Sequence, residues 1–320
     1  MFRFAARVVK CLTLTTAVFI CPAISAQEYP AKPVTLVVPF APGSLSDVTA
    51  RLYAQELSNK LGQPFIVHNR PGVAGIRHVK TSAPDGLTLL WHSSAATSTQ
   101  AILSDPGFDI RKDFIAVTTT LEAPLAVFAA KNNGFTTIKD VIEYAKKNPG
   151  KLNFGSAGVG TVTHLNMELV MERAGIKMVH VAYKGGSPAA TALMAGEIDL
   201  LIYDPAFRTT LNDKAQLLAI LSAQRWPAYA DVPTIEEGGG PKVDAAVWNG
   251  IFAPAGTPDA VISKLNEAIK EAAHAPAVIN YMKLNGYIPS WRTREQFDNE
   301  VKAEVAHWQE LVRRAHVPIR

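Results

Sequence analysis

The sequence predicts an α/β chain of two lobes with a ligand cleft between them. Three observations lead to this reading. Short apolar, β-branched runs alternate with segments of helical spacing, which is the pattern of strands covered by helices rather than of a sandwich. A second series of the same kind starts near Leu125-Ala-Val-Phe128. From Pro258 onward the chain is mostly helical, so this last part has to pack on a sheet already made. The simplest path returns it to the first lobe after Trp248. The expected units are therefore a discontinuous first domain, 27–128 with 249–320, and a second domain, 129–248.

The elements follow in order. Pro33 to Pro39 is a β-branched run that ends in the turn Phe40-Ala-Pro-Gly43. Asp47 to Leu61 carries Val48, Leu52, Leu57 and Leu61 near helical spacing and closes on Gly62. Phe65–Val67 and Leu87–Trp91 read as strands, the latter entered through Pro84-Asp85-Gly86. In the second series Thr137 caps a helix over Ile138–Lys147, which Asn148-Pro149-Gly150 terminates. Strands then alternate with helices: Leu152–Phe154, the helix Thr163–Ala174, Met178–Ala182, the helix Pro188–Ala195, and Ile198–Tyr203. Helices over Ala260–Ala273 and Glu295–Arg314 complete the chain, and the alternation predicts parallel sheets.

The first 26 residues read as a secretory signal peptide. Arg3, Arg7 and Lys10 open it, an apolar run from Cys11 to Ile20 follows, and Ala23-Ile-Ser-Ala26 supplies small residues for cleavage. The run is shorter than the roughly 20 residues a membrane-spanning helix needs. Ile20 before Cys21 and Pro22 after it speak against lipidation. The expectation is a periplasmic protein released by cleavage. Both cysteines leave with that segment, so disulfides, thiolate metal sites and thiol nucleophiles are excluded from the remainder. Without it the chain has 29 basic and 28 acidic residues, and it shows no basic cluster of the kind nucleic-acid binders carry.

Open α/β sheets place ligands at strand carboxyl ends, and four loops there have suitable composition. The first holds Phe40, Ala41, Pro42, Gly43 and Ser44, with Asp47 behind it. Its small residues suit main-chain N–H groups pointing outward at a helix start, where anions are favoured. The second is His92, Ser93 and Ser94 after a strand. The third, from Gly155, holds Ser156, Ala157, Gly158, Gly160 and Thr161, with His164 at the helix start. The fourth is Asp204 at a strand end. Asp47 and Asp204 suit capping or bracing a loop as well as touching a ligand. Trp91 suits a core position as well as the wall of an aromatic-acid site.

Enzyme motifs fail in detail. A nucleophile elbow around Ser156 would need glycine where Phe154 stands. A dinucleotide fingerprint from Gly158 would need glycine at Thr163. The eight histidines are scattered, with no metal-ligand spacing, so no metal or other cofactor is implied.

At these loops the sequence resembles the Bug family of periplasmic solute receptors, the binding components of tripartite tricarboxylate transporters. The resemblance runs along essentially the whole chain after the signal peptide. It rests on Tyr29-Pro-Ala-Lys-Pro33, Val38-Pro-Phe-Ala-Pro-Gly43 with Asp47 and Ala50-Arg51, Asn69-Arg-Pro-Gly72 and Pro84-Asp-Gly86. It continues in Asn148-Pro-Gly-Lys151, Gly155-Ser-Ala-Gly158 with His164-Leu165, and His180-Val181 with Tyr183-Lys-Gly185. Asp231-Val-Pro-Thr234, Ala253-Pro-Ala-Gly-Thr-Pro258 and Trp308 close it. What the resemblance implies is a two-domain periplasmic binding protein fold, type II-like, that closes on a small anionic solute. The segments matching Phe40–Asp47 and Ser156–Thr161 would hold a ligand carboxylate through main-chain groups, hydroxyls and water. Tyr183 joins them, and Asp204 would meet a polar or amino group of the solute.

Several positions depart from the family pattern. Ser44 stands where a second glycine is usual, and Leu45 where a small hydroxyl residue is usual. Arg77 and His78 replace small residues, His68 replaces an acid, and Ala182 replaces a proline. Arg77 is either a surface charge or an extra anion contact. The expected function is uptake of a small carboxylate with membrane permease subunits as partners. A receptor signalling to a sensor kinase would need the same closing cleft, and an exported hydrolase would pair Ser156 with His164. A monomer is the default state. Ser156→Asp would place a negative charge opposite the ligand carboxylate.

Overall fold

The computed structural model describes residues 29–319, so the expected signal peptide lies outside the described residues. The chain opens with β1 (Val34–Val38), α1 (Leu45–Leu61), β2 (Phe65–Asn69), α2 (Val73–Lys80), β3 (Thr88–Ser93), α3 (Ala95–Ile102) and β4 (Phe114–Ala123). It then crosses to β5 (Ala126–Ala130), α4 (Ile138–Lys147), β6 (Asn153–Ser156), α5 (Val162–Ala174), β7 (Val179–Ala182), α6 (Gly186–Ala195), β8 (Leu200–Tyr203), α7 (Arg208–Leu211) and β9 (Ala215–Ile220). It returns through β10 (Val247–Pro254), α8 (Asp259–Ala273), α9 (Pro276–Asn285), β11 (Ile288–Pro289) and α10 (Arg294–Arg314).

Two sheets result. The first has the order β11-β4-β10-β3-β1-β2 and the second β7-β6-β8-β5-β9. Both are mixed rather than parallel. β1, β2 and β3 run parallel, but β10 is antiparallel to β3 and β4. In the second sheet β6, β7 and β8 are parallel and β5 is antiparallel to β8 and β9. The reversed strands are those that carry the chain between lobes. The outgoing and returning strands enter side by side, with Ala123 at the end of β4 paired to Val247 at the start of β10. On the far side Leu221 N–H donates to Leu125 C=O and Ala245 N–H to Leu221 C=O. The sheets therefore divide the chain near residues 124 and 246, a few residues before the expected 128 and 248. β5 is buried along its whole length, which requires all five residues in one sheet.

The helices form where caps and apolar stripes coincide. Ser44 caps α1, whose end is Gly62 at φ 70°. Thr137 and Asp140 make a reciprocal capping box for α4. Leu36, Tyr53, Leu57, Leu89 and Leu265 are among the buried side chains of the first core. Phe154, Leu165, Leu200 and Ile202 lie in the second. Each fully buried side chain of this size contributes about 1.5–3 kcal/mol before conformational entropy is counted.

The last helix departs from expectation. Phe297, Val301 and Val305 on α10 pack with Phe252 and Trp248 of the first lobe. One to two turns later Trp308, Leu311 and Val312 enter the core of the second lobe. The helix assigned to the first domain is thus shared by both.

Candidate functional site

Between the two sheets lies a cleft with a cavity of about 460 Å³. Three helices begin at its edge. Gly43 and Leu45 line it from the start of α1, Ser93 and Ala95 from the start of α3, and Ala157, Thr161, Val162 and Thr163 from the start of α5. The opposite wall comes from Tyr203, Asp204 and Phe207 after β8 and from Tyr281 and Tyr287 around α9. The crossings supply Pro124, Leu125 and Val247, and Phe40 and Val48 complete the first-lobe side. Among the described residues no lysine or arginine lines the cleft; its one charged side chain is Asp204.

The helix starts show how main-chain groups are distributed. Ser44 Oγ accepts from Asp47 N–H at 3.3 Å, and Thr161 Oγ1 from His164 N–H at 3.4 Å. The amides of Leu45, Ser46, Val162 and Thr163 open their helices and have no intrahelical acceptor. They carry the positive end of the helix dipole toward the cleft. The glycine amides do not. Gly43 N–H donates to Asp47 Oδ2 at 2.8 Å, Gly158 N–H to Ser156 Oγ at 3.1 Å, and Gly160 N–H to His164 Nδ1 at 3.0 Å. Ala157 N–H is taken by Thr163 Oγ1 at 3.1 Å. The loops hold their own shape with the groups expected to face a ligand.

Of the residues anticipated from sequence, Phe40, Gly43, Ser93, Ala157, Thr161 and Asp204 line the cleft. Ala41, Pro42 and Ser44 stand beside it in the first turn, with Ser44 spent as a cap. Asp47 is buried and braces that turn, accepting from Gly43 N–H, from Asn69 Nδ2 at 2.8 Å and from Arg51 at 3.0 Å. Burial works to raise its carboxyl, but these hydrogen bonds outweigh burial and hold it below the usual range.

His92 is buried with Nδ1 against the Ser93 amide at 2.8 Å, and burial pushes its pKa down to about 4. Trp91 is a core residue, 5.4 Å from the Tyr53 ring. Ser156 is fully buried, so Ser156→Asp would break the core rather than report on a ligand. His164 is also buried, stacked on His180 at 3.7 Å, with Nε2 3.3 Å from Glu168 Oε1. Gly160 has φ 75°, and a Cβ there would meet Ile102 Cδ1 at 2.2 Å, so its role is close approach between lobes. Gly158 likewise has a positive φ, 141°. Tyr183 packs with the second-lobe cluster around Leu193 and Leu201, away from the cavity lining. Ser94 lines a different cavity, on the rear of the cleft.

Asp204 keeps a double duty. Its Oδ1 accepts from Ala206 N–H at 2.9 Å, closing a short turn, and its Oδ2 accepts from Tyr287 O–H at 2.8 Å. Burial raises its pKa, and those two bonds only partly offset the rise. Sequence reading missed Tyr281, Tyr287, Phe207 and Leu45 as lining residues. Leu45 carried a signal as a departure from the family pattern; the tyrosines, far along the chain, carried none. Arg77 is exposed and absent from the cleft lining, the surface-charge alternative rather than the anion contact, and its Nε donates to Pro106 C=O at 2.8 Å, bracing the Gly107 turn.

Comparison with known proteins decides the family. Residues 49–317 match the tripartite tricarboxylate transporter family receptor. The chain belongs to this family. BugT of Bordetella pertussis (strain Tohama I) is 32% identical over 297 residues, covering 91% of each chain. Among solved structures, R. palustris Rpa4515 with adipate superimposes with a TM-score of 0.79 at 29% identity, covering 91% of this chain and 99% of that one. The periplasmic binding protein BugD gives a TM-score of 0.76 at 29% identity with the same coverage. The tricarboxylate-transporter receptor fold, two α/β lobes about a cleft, is the one described above.

Proposed function

We propose that this receptor is exported, closes its lobes on a small carboxylate, and delivers it to the membrane subunits of a tripartite tricarboxylate-type transporter. One observation carries the reading: α1, α3 and α5 all begin at a cleft that no cationic side chain among the described residues lines. A carboxylate there is stabilised by helix-start amides and by the Ser93 hydroxyl, without an arginine. The cavity has the size of a small-molecule site. The adipate held by the R. palustris relative is a carboxylate of fitting size. The reading includes binding without turnover, supported by the burial of Ser156, whose hydroxyl meets a histidine ring. Among the described residues no helix is long and apolar enough to cross a membrane.

The test is a thermal-shift screen of residues 27–320 against a carboxylate library, repeated with Ala157→Asp. A solute that binds only the folded state raises the melting temperature by mass action. We expect one or a few acids to stabilise the protein, unchanged after incubation. We expect Ala157→Asp, which sets a negative charge at the start of α5, to lose that shift. An acid that stabilises both proteins equally, or that is consumed, overturns the reading.

A further inference from the structure

A second cavity, of about 440 Å³, lies on the rear of the cleft. Val162 and Val247 line both cavities and form the wall between them. The rear cavity draws on both lobes: Asn166 and Leu169 from α5 on one side, Trp248, Glu300, Glu304 and Trp308 on the other.

Its polar groups are rich in acceptors. Glu122 and Glu300 share one guanidinium, with Arg292 at 2.6 Å and 2.7 Å respectively. Glu304 has only neutral donors: the indole N–H of Trp248 at 2.9 Å, that of Trp308 at 3.3 Å, and the Thr97 hydroxyl. Asp244 adds a fourth carboxyl to the lining, and Arg292 is its only arginine or lysine among the described residues. Two further acceptors are buried there without a hydrogen-bond partner among the described residues, Ser94 Oγ and Asn166 Oδ1. Ser94 is 1% exposed and Asn166 4%. The Asn166 amide nitrogen is committed to Val162 C=O at 2.8 Å, so Oδ1 is the end left over. A buried acceptor without a donor carries a desolvation cost of about 1–3 kcal/mol.

The missing component is a positive charge that brings several N–H donors. Among the described residues no group of three or more metal-ligating side chains could hold a metal ion, whereas an ammonium group brings N–H donors that match single acceptors such as Asn166 Oδ1 and Ser94 Oγ. Trp248 and Trp308 add apolar indole surface to the lining, which suits a short carbon chain, while their N–H edges point at Glu304. We propose that the rear cavity is a second ligand site, for a small organic ammonium ion, held by Asn166 Oδ1, Ser94 Oγ and the Glu304 carboxylate.

Proton and ammonium then compete for Glu304. The groups facing it from its own helix are Glu300 and His307; from the first sheet and the loop before α10 come Glu122 and Arg292, and from the return crossing Asp244. Burial raises the Glu304 carboxyl to about 7 and keeps His307 below its ordinary value. Ammonium binding should therefore strengthen as pH rises through about 7 and should release protons.

The test is calorimetric titration of the full chain with n-butylammonium chloride, using sodium chloride as the matched salt. We expect saturable one-to-one binding at about pH 8 that weakens about tenfold at about pH 6, following the charged fraction of Glu304. Asn166→Leu and Glu304→Gln should each weaken it at least about tenfold, while Asp204→Asn in the front cleft leaves it unchanged. If Glu304→Gln does not fold, Ser94→Ala and Asn166→Leu read the same site. No saturable heat up to about 10 mM overturns the proposal. So does binding that survives the rear-cavity variants, or binding that Asp204→Asn abolishes.

Discussion

Ser156 Oγ lies 2.7 Å from His180 Nε2, yet the serine is fully buried and the imidazole only half-buried. His180 stacks on His164 and Phe154, with centroids 3.7 Å and 4.9 Å away. Ser156 Oγ also accepts from Gly158 N–H. The serine and the imidazoles are a bracket for the loop that begins α5. The serine lacks the exposure a nucleophile requires.

Burial, and then the neighbouring His164, lower the His180 pKa to about 4. The folded state therefore favours the neutral imidazole. That contribution is complete above the ordinary value near 6.5 and is lost as pH falls toward about 4. We expect the melting temperature to drop across this window, and His180→Phe to flatten that part of the profile. A serine-reactive phosphonate should leave the folded protein unlabelled by mass spectrometry.

Asp47 holds the first cleft turn by three bonds. Asp47→Ala leaves the Gly43 amide without its acceptor and Asn69 Nδ2 with Phe40 C=O alone. Urea unfolding should show a loss of about 1–3 kcal/mol. Since the Asp47 pKa is lowered on folding, the difference from wild type should shrink as pH falls below the ordinary carboxylate range.

Asp204 is the one charge in the cleft lining among the described residues, and on the proposed reading it selects solutes by their charge. Asp204→Asn should raise affinity for dicarboxylates and lower it for carboxylates that carry an amine. Roughly tenfold changes in opposite directions are expected in paired calorimetric titrations. Equal changes for both classes would show that the carboxylate acts only through the turn it closes with Ala206.

Glu304 gives a profile of opposite sign to His180. Its folded pKa, about 7, lies above the ordinary value of 4.5, so its contribution is present below 4.5 and is lost as pH rises through 7. Although deeply surrounded, Glu304 keeps a face on the rear cavity, so water reduces the effect. Comparing wild type with Glu304→Gln, we expect wild type to lose about 1–2 kcal/mol between about pH 5 and pH 8 relative to the variant.

Most of the fold's periodic elements were readable because local signals agreed: Thr137 with Asp140 at α4, Ser44 with Gly62 at α1, the β-branched run of β1. α2, α3, α7, α9, β4, β9, β10 and β11 were not, because long-range burial sets them. Gly250 sits inside β10 where a Cβ would meet Phe297 Cζ at 2.6 Å, a reason no local window contains. At the cleft, loops with small residues were legible, but which of their atoms stay free was not. That depends on side chains such as Asp47 and His164 turning back on their own loops. Asp204 was legible as a carboxylate at a strand end; its partner Tyr287, 83 residues later, was not.

The final helix has a consequence for the order in which the protein can be assembled. Among the described residues all eleven strands are complete by Pro289, but α10 starts only at Arg294. Phe297, Val301 and Val305 then fill one core, while Trp308, Leu311 and Val312 fill the other. A chain emerging from synthesis thus has both sheets in hand while each still exposes an apolar face. The last turns of one helix thus close both cores.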